Sequence, residues 1–545
     1  MKKKGVLRIF VVLLFGTFLN LVCGQTSSIE LSGWASEITS ADVNNDGKNE
    51  ISFLVDTESG EGGFIYLLDE TGKIIWQKEI PNSYMLPQFS PVFGDLDNDG
   101  KMEVAYTNKY YNGLDSNLIV YNYEGNIKWS KKAHSFGEPG LISGSGFSGT
   151  PIIFDIDNDK NKEIISLEDR GILNVWDRNG NFKTGFPIEF GEMVPYDENP
   201  DLSYSSVISN AQPVIGDFLG DEKKEITIVI NDYSSEYFNP VPDTGRVLII
   251  DSTGEVVRNI KIEGAGLIPL VSADINKDEK DEIIFSNTRT YATGEIWKND
   301  KLYAFKGDGS KLFEKDIKDD YDNHIPSKSE RDEITSISII DRNDENLGIV
   351  LKISNEQYIR DGFANSRQRI DILNSLGNLV CSTPYGLMKT HVSRPRIADI
   401  NNDGKQEIII GDDKYIFIFN SDCSLMQQIN SPVYIWPSLS IENIGAESVA
   451  LFGGEKKFYM MNLGGRYSNA DWPQFQHDSQ HTGRYSDFKF LRGDANNDAN
   501  VNIADAIYIL GYLFGKKPAP PAPFPNAGLD PTVDNLDCKC YGTGC

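Results

Sequence analysis

The chain has 545 residues and a net charge of −28, from 80 acidic against 52 basic side chains. That excess of acid repels phosphate backbones and argues against nucleic acid as a partner. Apolar residues at 39% and aromatics at 11% suffice for packed cores, and a repeat architecture can hold this length as one body.

The first residues read as an address. Three lysines after Met1, an apolar run from Val6 to Val22 and a small residue at Gly24 form a secretory signal peptide over residues 1–24, cut before Gln25. A lipid anchor at Cys23 is the weaker reading, because Asn20-Leu21-Val22 is a poor match to the required motif. No later stretch approaches the roughly 20 apolar residues of a spanning helix. The mature protein is therefore expected to be secreted or associated with the cell surface, without a transmembrane segment.

An acidic phrase then recurs along the chain. It runs Asp42, Asn44, Asp46, Gly47 and Glu50, and returns as Asp95, Asp97, Asp99, Gly100 and Glu103. Further copies are Asp155, Asp157, Asp159 and Glu163; Asp274, Asn276, Asp278 and Glu282; and Asp399, Asn401, Asp403 and Glu407. Oxygen-bearing side chains stand at positions 1, 3, 5 and 9, and an apolar strand follows. Calcium takes six to eight oxygens at about 2.3–2.6 Å, and a loop with acids at alternate positions can curl around it. Weaker copies begin at Asp217, where Leu219 replaces a ligand, and at Asp341, which lacks the closing acid. A worn copy lies near Glu442.

Each phrase sits in a unit of four strand signals. In the second unit Ser90 to Gly94 leads into the loop and Met102 to Thr107 leads out. Asn117 to Asn122 and Asn126 to Trp129 then form a hairpin about Gly125. Eight such units, spaced by about 57 residues, predict an all-β fold: a β-propeller of eight four-stranded blades, or seven if one terminal unit completes another blade. The acidic loops are 1–2 connections and share one face. Five insertions, Pro187–Ser209, Asp232–Thr244, Asn287–Asn299, Lys315–Asp332 and Ser354–Gln368, fall in 2–3 or inter-blade positions on the other face. Several are rich in tyrosine (Tyr196, Tyr204, Tyr233, Tyr237, Tyr291, Tyr321, Tyr358), and long loops on a rigid scaffold commonly carry recognition.

With that strand context, residues 30–485 resemble the FG-GAP or VCBS calcium repeats of integrin-α-like propellers. The resemblance implies that loop side chains 1, 3, 5 and 9, with the carbonyl at 7, hold Ca²⁺. Near the end of this region Trp472-Pro473-Gln474-Phe475-Gln476-His477-Asp478 and His481-Thr482-Gly483 resemble a closing motif of secreted propellers. Trp472 and Phe475 read there as core residues, and the histidines as hydrogen-bonding corner groups rather than metal ligands.

The tail changes register. Asp494, Asn496, Asp498 and Asp505 stand at positions 1, 3, 5 and 12 of an EF-hand-type loop, followed by a helix over 506–514. Residues 490–516 resemble a single dockerin repeat, which implies docking to a cohesin-type module. A standard dockerin carries two such units, and Ala499 stands where glycine is usual. Residues 517–545 are proline-rich and end in Cys538, Cys540 and Cys545, which suggest a disulfide staple on the tail. With Cys381 and Cys423 the cysteines beyond the signal peptide number five, an odd count that leaves at least one unpaired or intermolecular thiol.

No nucleophile elbow, zinc-protease motif or phosphate loop stands in the sequence, and no catalytic residue or organic cofactor site is assigned. The reading is a calcium-stabilised binding or adhesion scaffold for protein or glycan, engaged through its long-loop face. The alternative is a carbohydrate-active enzyme, a polysaccharide lyase or glycoside hydrolase, working on that face.

Overall fold

The computed structural model describes residues 26–485 apart from 58–61, 82–88, 109–115, 134–145, 196–202, 209–211, 233–243, 264–269, 288–300, 318–329, 343–346, 364–366, 389–391 and gaps of one or two residues; beyond 485 it describes 507–510 and 513. It forms a ring of eight antiparallel sheets, an eight-bladed β-propeller. Strand order within a blade follows the chain from the inner strand outwards. Blade 2 is typical, with Val92–Gly94, Glu103–Thr107, Asn117–Tyr121 and Ile127–Lys132 side by side.

Blade 8 settles the count between seven and eight. It supplies three strands, Leu439–Ile444, Glu447–Gly454 and Lys457–Asn462. Its fourth is Thr26–Glu30 from the other end of the chain, with Thr26 opposite Met461 and Ile29 opposite Phe458. The propeller therefore begins at residue 26 rather than 30. The apolar seam continues across this junction, where Phe53, Val55 and Tyr66 of blade 1 pack with Leu451, Phe458 and Met460 of blade 8.

Near-continuous apolar runs explain why the blades stack. In Glu50–Thr57, Ile51, Phe53 and Val55 face blade 8, while Leu54 faces blade 2. A strand buried on both faces needs apolar residues at every position rather than in alternation. Only the fourth strands alternate with exposed residues, as in Ile74–Pro81.

A repeated contact locks the blade rims. The turn between strands three and four places a glycine against the fourth strand of the preceding blade. A Cβ on Gly125 would lie 3.0 Å from Trp76, on Gly180 2.9 Å from Trp129, and on Gly377 2.8 Å from Phe313. These glycines have φ of 76–79°, a left-handed conformation that glycine adopts without strain. The two tryptophans also donate from Nε1 to the carbonyls of Tyr123 and Arg178 in that turn. Blade 7 departs from the pattern. Cys423, at φ 65°, takes the glycine position, Cys381 takes the aromatic position on blade 6, and the two form a disulfide with Cα atoms 5.8 Å apart. The expected tail staple of Cys538, Cys540 and Cys545 lies outside the described residues.

Residues 471–485 form a belt across the inside of the ring. Backbone N–H groups of the inner strands donate to it in turn: Ile397 to Trp472, Ile441 to Pro473, Phe93 to Ser479, Ile153 to Gln480, Ile215 to Thr482 and Ser272 to Gly483. Ser40 donates to the Gln474 side chain, and Asp341 to that of Asp471. One segment thus touches all eight blades. Trp472 and Phe475 are buried, as the sequence suggests, and so is His481.

Two sequence readings of the long insertions need correction. Part of Ser354–Gln368 is strand rather than loop, because Glu330–Asp341 and Leu347–Ile359 run on together, with Glu330 opposite Gln357. Within Pro187–Ser209 a small hairpin pairs Met193–Pro195 with Ser203–Ser205. The remaining insertion segments are largely outside the described residues. Residues 507–510 are helical.

Candidate metal sites on the 1–2 loops

The five acidic phrases and the weaker copy at Asp217 fall between the first and second strands of a blade, on one face of the ring, and the weaker copies at Asp341 and Glu442 begin within the first strand. The loop backbone explains the sequence. Positions 4 and 6 take left-handed conformations: φ is 61° at Asn45 and 84° at Gly47, 60° at Asn98 and 87° at Gly100, and 57° at Asn402 and 81° at Gly404. Asparagine and glycine are the residues that visit this region most readily. Lys160 and Glu279 hold the same conformation without that advantage.

This double left-handed turn folds the loop onto its own acids. Asp42 accepts the N–H of Asp46 and of Gly47 at 3.0 and 2.8 Å, and Asp95, Asp155, Asp274 and Asp399 repeat the pair. Asp46, Asp99, Asp159 and Asp403 each accept the N–H two residues on. The closing glutamate begins the second strand and is buried, at 0–2% exposure in Glu50, Glu103, Glu163, Glu282 and Glu407. One of its oxygens accepts the N–H of position 2, at 2.9 Å from Val43 and 2.8 Å from Leu96. Its other oxygen accepts from the position-3 amide in Glu50, Glu282 and Glu407, and from a lysine in Glu103 and Glu163.

Three loops bring three carboxylates together with oxygens within 4.8 Å of one another: Asp95, Asp97 and Asp99; Asp155, Asp157 and Glu163; Asp399, Asp403 and Glu407. In the loops that begin at Asp42 and Asp274 position 3 is amide, and Asn44 and Asn276 donate to Glu50 and Glu282. The fourth loop is bound up with its neighbour. Asp217 donates its N–H to Asp281 and holds Lys224 at 3.2 Å. Asp494, Asn496, Asp498 and Asp505 lie outside the described residues.

The loops differ in a way the sequence reading missed. Lys128 reaches Glu103 at 3.0 Å and also contacts Asp97. Lys183 reaches Asp157 and Glu163, both at 2.7 Å. Both lysines occupy the same place, the third residue after the glycine of the rim turn. Blades 1 and 4 to 7 have Ile75, Val257, Leu312, Val380 and Met426 there. The signal was a lysine at a position otherwise apolar.

The charge balance follows. Burial, with Asp46 and Asp42 nearby, pushes the Glu50 carboxyl up to about 7. Burial and the two loop aspartates raise Glu282 to about 8 and Glu407 to about 7. Glu103 and Glu163 are raised by burial too, but the lysines oppose it. Buried carboxylates crowded with others of like charge are stabilised by a cation. An all-oxygen donor set suits a hard one such as Ca²⁺.

The histidines of the belt have other partners. His481 is within 2.9 Å of the Thr39 hydroxyl, and burial lowers its pKa to about 4. His477 contacts Asp478 at 3.3 Å. Neither joins a group of three potential metal ligands among the described residues.

The sheets and loops define an eight-bladed propeller built on repeated acidic corners. Residues 42–106, from the first loop to the second strand of blade 2, match the FG-GAP-like repeat. No curated protein matches the chain. Among solved structures, the biofilm matrix protein Bap1 of V. cholerae is 13% identical, with a TM-score of 0.47 over 84% of this chain and 93% of that one. The Dos1 propeller is 10% identical, with a TM-score of 0.47 over 82% and 96%. BBS1N, in its complex with ARL6DN, is 10% identical, with a TM-score of 0.38 over 81% and 96%.

Proposed function

We propose that this protein is an exported binding scaffold. Calcium pins its 1–2 loops, its long-loop face takes a protein or glycan, and its 490–516 tail attaches it through a dockerin-like contact. The buried closing glutamate carries the calcium reading: one oxygen is spent on the loop backbone, and in the loops at Asp155 and Asp399 its carboxylate lies within 4.8 Å of two loop aspartates. Blade 7 brings Asp399, Asp403 and Glu407 within 4.8 Å of one another, and blade 1 repeats its backbone with the same residue types. Asp42, Asn44, Asp46 and Glu50 would hold one ion, and Asp399, Asn401, Asp403 and Glu407 the other. There the ion would neutralise the crowded acids and fix the corner between two strands.

Export is supported by the Cys381–Cys423 bond, since disulfides persist mainly in oxidising compartments. Among the described residues no helix is long and apolar enough to cross a membrane. The scaffold reading rests on connectivity, in which the acidic corners join strands one and two and the longest connections join strands two and three or successive blades.

The test uses the full chain. Calcium bound per chain is counted by equilibrium dialysis, and Tm is measured with calcium and with chelator. Retention of calcium with a Tm raised by several degrees is expected, and an unchanged Tm overturns the calcium reading. Release of product from a polysaccharide panel would replace the scaffold with the enzyme.

A further inference from the structure

Two of the five complete loops carry an aspartate at position 3, Asp97 in blade 2 and Asp157 in blade 3, where the other three carry Asn44, Asn276 and Asn401. The same two blades have Lys128 and Lys183 on the column after the rim turn, where those three have Ile75, Leu312 and Met426. Aspartate at position 3 and lysine on the rim thus occur together, and the asparagine loops have neither.

The closing glutamate links the two substitutions. The loop backbone occupies one of its oxygens and leaves the other to a side-chain donor. In the asparagine loops the amide at position 3 is that donor, from Asn44 to Glu50, Asn276 to Glu282 and Asn401 to Glu407. A carboxylate at position 3 has no hydrogen to give and sets a second negative charge against a buried one. Lys128 and Lys183 take over the donation, to the same oxygen of Glu103 and Glu163. The Lys183 ammonium lies 2.7 Å from both Asp157 and Glu163. That of Lys128 lies 3.0 Å from Glu103 and also contacts Asp97. The two glutamate side chains are 3% exposed and the lysines 22% and 17%, so water and salt screen these pairs less than surface pairs. Burial lowers both lysines, but hydrogen bonds and charge from the two acids outweigh it and hold them raised, so both stay charged at neutral pH. Blade 5 shows the contrast: Lys306 reaches Asp278, at position 5, from a more exposed place, and Asn276 still serves Glu282.

These contacts put an ammonium where an ion would have to sit. In blade 3 carboxylate oxygens of Asp155, Asp157 and Glu163 converge within 4.8 Å, and two of the three acids already hold Lys183. Calcium takes its oxygens at about 2.3–2.6 Å, so an ion on that set would be in near contact with the ammonium, with no solvent between the two positive charges.

We infer that Lys128 and Lys183 are tethered cations, which hold the loops of blades 2 and 3 closed without calcium and exclude it from them. The inference rests on the reading that calcium binds the asparagine loops of blades 1 and 7, and it divides the ring. Corners in those blades answer to free calcium. Blades 2 and 3 form an adjacent pair whose corners are fastened by the chain itself, and they stay fastened when calcium is withdrawn.

Hydrogen exchange of the full chain, read by mass spectrometry on peptides covering each loop, tests this in calcium and in chelator. With calcium at 100 times its Kd, exchange at 42–50 and 399–407 should slow about 100-fold, because opening must release the ion. Exchange at 95–103 and 155–163 should change by less than about twofold. In Lys128→Met the 95–103 loop should open in chelator while 155–163 is unaltered, and Lys183→Met should do the converse. Asp97→Asn with Lys128→Met gives blade 2 the position-3 and rim residues of blade 7, and should make 95–103 as calcium-dependent as 399–407. Calcium that slows 95–103 in the unaltered protein as much as 42–50 overturns the inference, as does a Lys128→Met loop that keeps its protection in chelator. Loops 42–50 and 399–407 that ignore calcium overturn the calcium reading instead, while the opening of 95–103 in Lys128→Met still reports the lysine alone.

Discussion

The disulfide between blades 6 and 7 makes a covalent bond of a contact that the other blades make by packing. Replacing Cys381 and Cys423 by serine removes it and opens a 42-residue separation. Loop-closure entropy for that span corresponds to about 4 kcal/mol at 25 °C. Unfolding entropy scales with chain length, so over a ring of this size the loss lowers Tm by about 4 °C. The pair Cys381→Trp with Cys423→Gly should recover part of this. It rebuilds the arrangement of Trp76 against Gly125, in which the indole donates to a turn carbonyl at 2.8 Å. Cys381 already faces the equivalent carbonyl, that of Ser421. Calorimetry of the three proteins with and without reductant separates the terms, and peptide mapping identifies the bond. A serine pair with unchanged Tm refutes the reasoning, as does mapping that joins Cys381 or Cys423 to the tail cysteines.

The remaining expectations concern the loops, the rim and the belt. Lys128→Met and Lys183→Met should each raise calcium affinity in blades 2 and 3, read as added bound ions in dialysis at fixed free calcium; unchanged stoichiometry and affinity would count against the lysines as built-in cations. Without metal, Glu50, Glu282 and Glu407 have folded pKa values of about 7, 8 and 7, above their ordinary 4.5. The folded state then binds more protons than the unfolded one, so Tm in chelator should fall as pH rises from about 5 to 8. Calcium should flatten that slope, and a Tm in chelator that climbs over the same range would contradict it. Gly377→Val should cost more than 2 kcal/mol in chemical denaturation, because φ is 76° and Phe313 lies 2.8 Å from the new Cβ. Gly404→Ala at φ 81° meets open space and should cost about 1 kcal/mol. Trp472→Ala, which removes a buried anchor of the belt, should cost about 3–5 kcal/mol by the same method.

The four-stranded repeat and the loop positions were legible because each is written locally, while the choice between seven and eight blades was not. Asp, Asn and Gly at alternate loop positions record a double left-handed turn, and an apolar run after the closing glutamate records a strand buried on both faces. What escaped was written between blades. The fourth strand of blade 8 lies more than 400 residues away in sequence, at Thr26–Glu30, where a short polar-looking segment gives no sign of its partner. The disulfide was hidden because its cysteines belong to different units; aligning the rim turns places Cys423 on the glycine column and Cys381 on the aromatic one. A buried ion pair at the centre of the ring is the extreme case. Glu37 and Arg396 are 359 residues apart, and each stands near the start of an inner strand in an ordinary-looking run. Only ring closure brings those starts together, and the belt then shuts them off from water on one side. A propeller's centre is a place where every blade contributes one short strand and none contributes a motif. Chemistry there is set by sums over blades, as in the pairing of Arg396 from one blade with Glu37 from another.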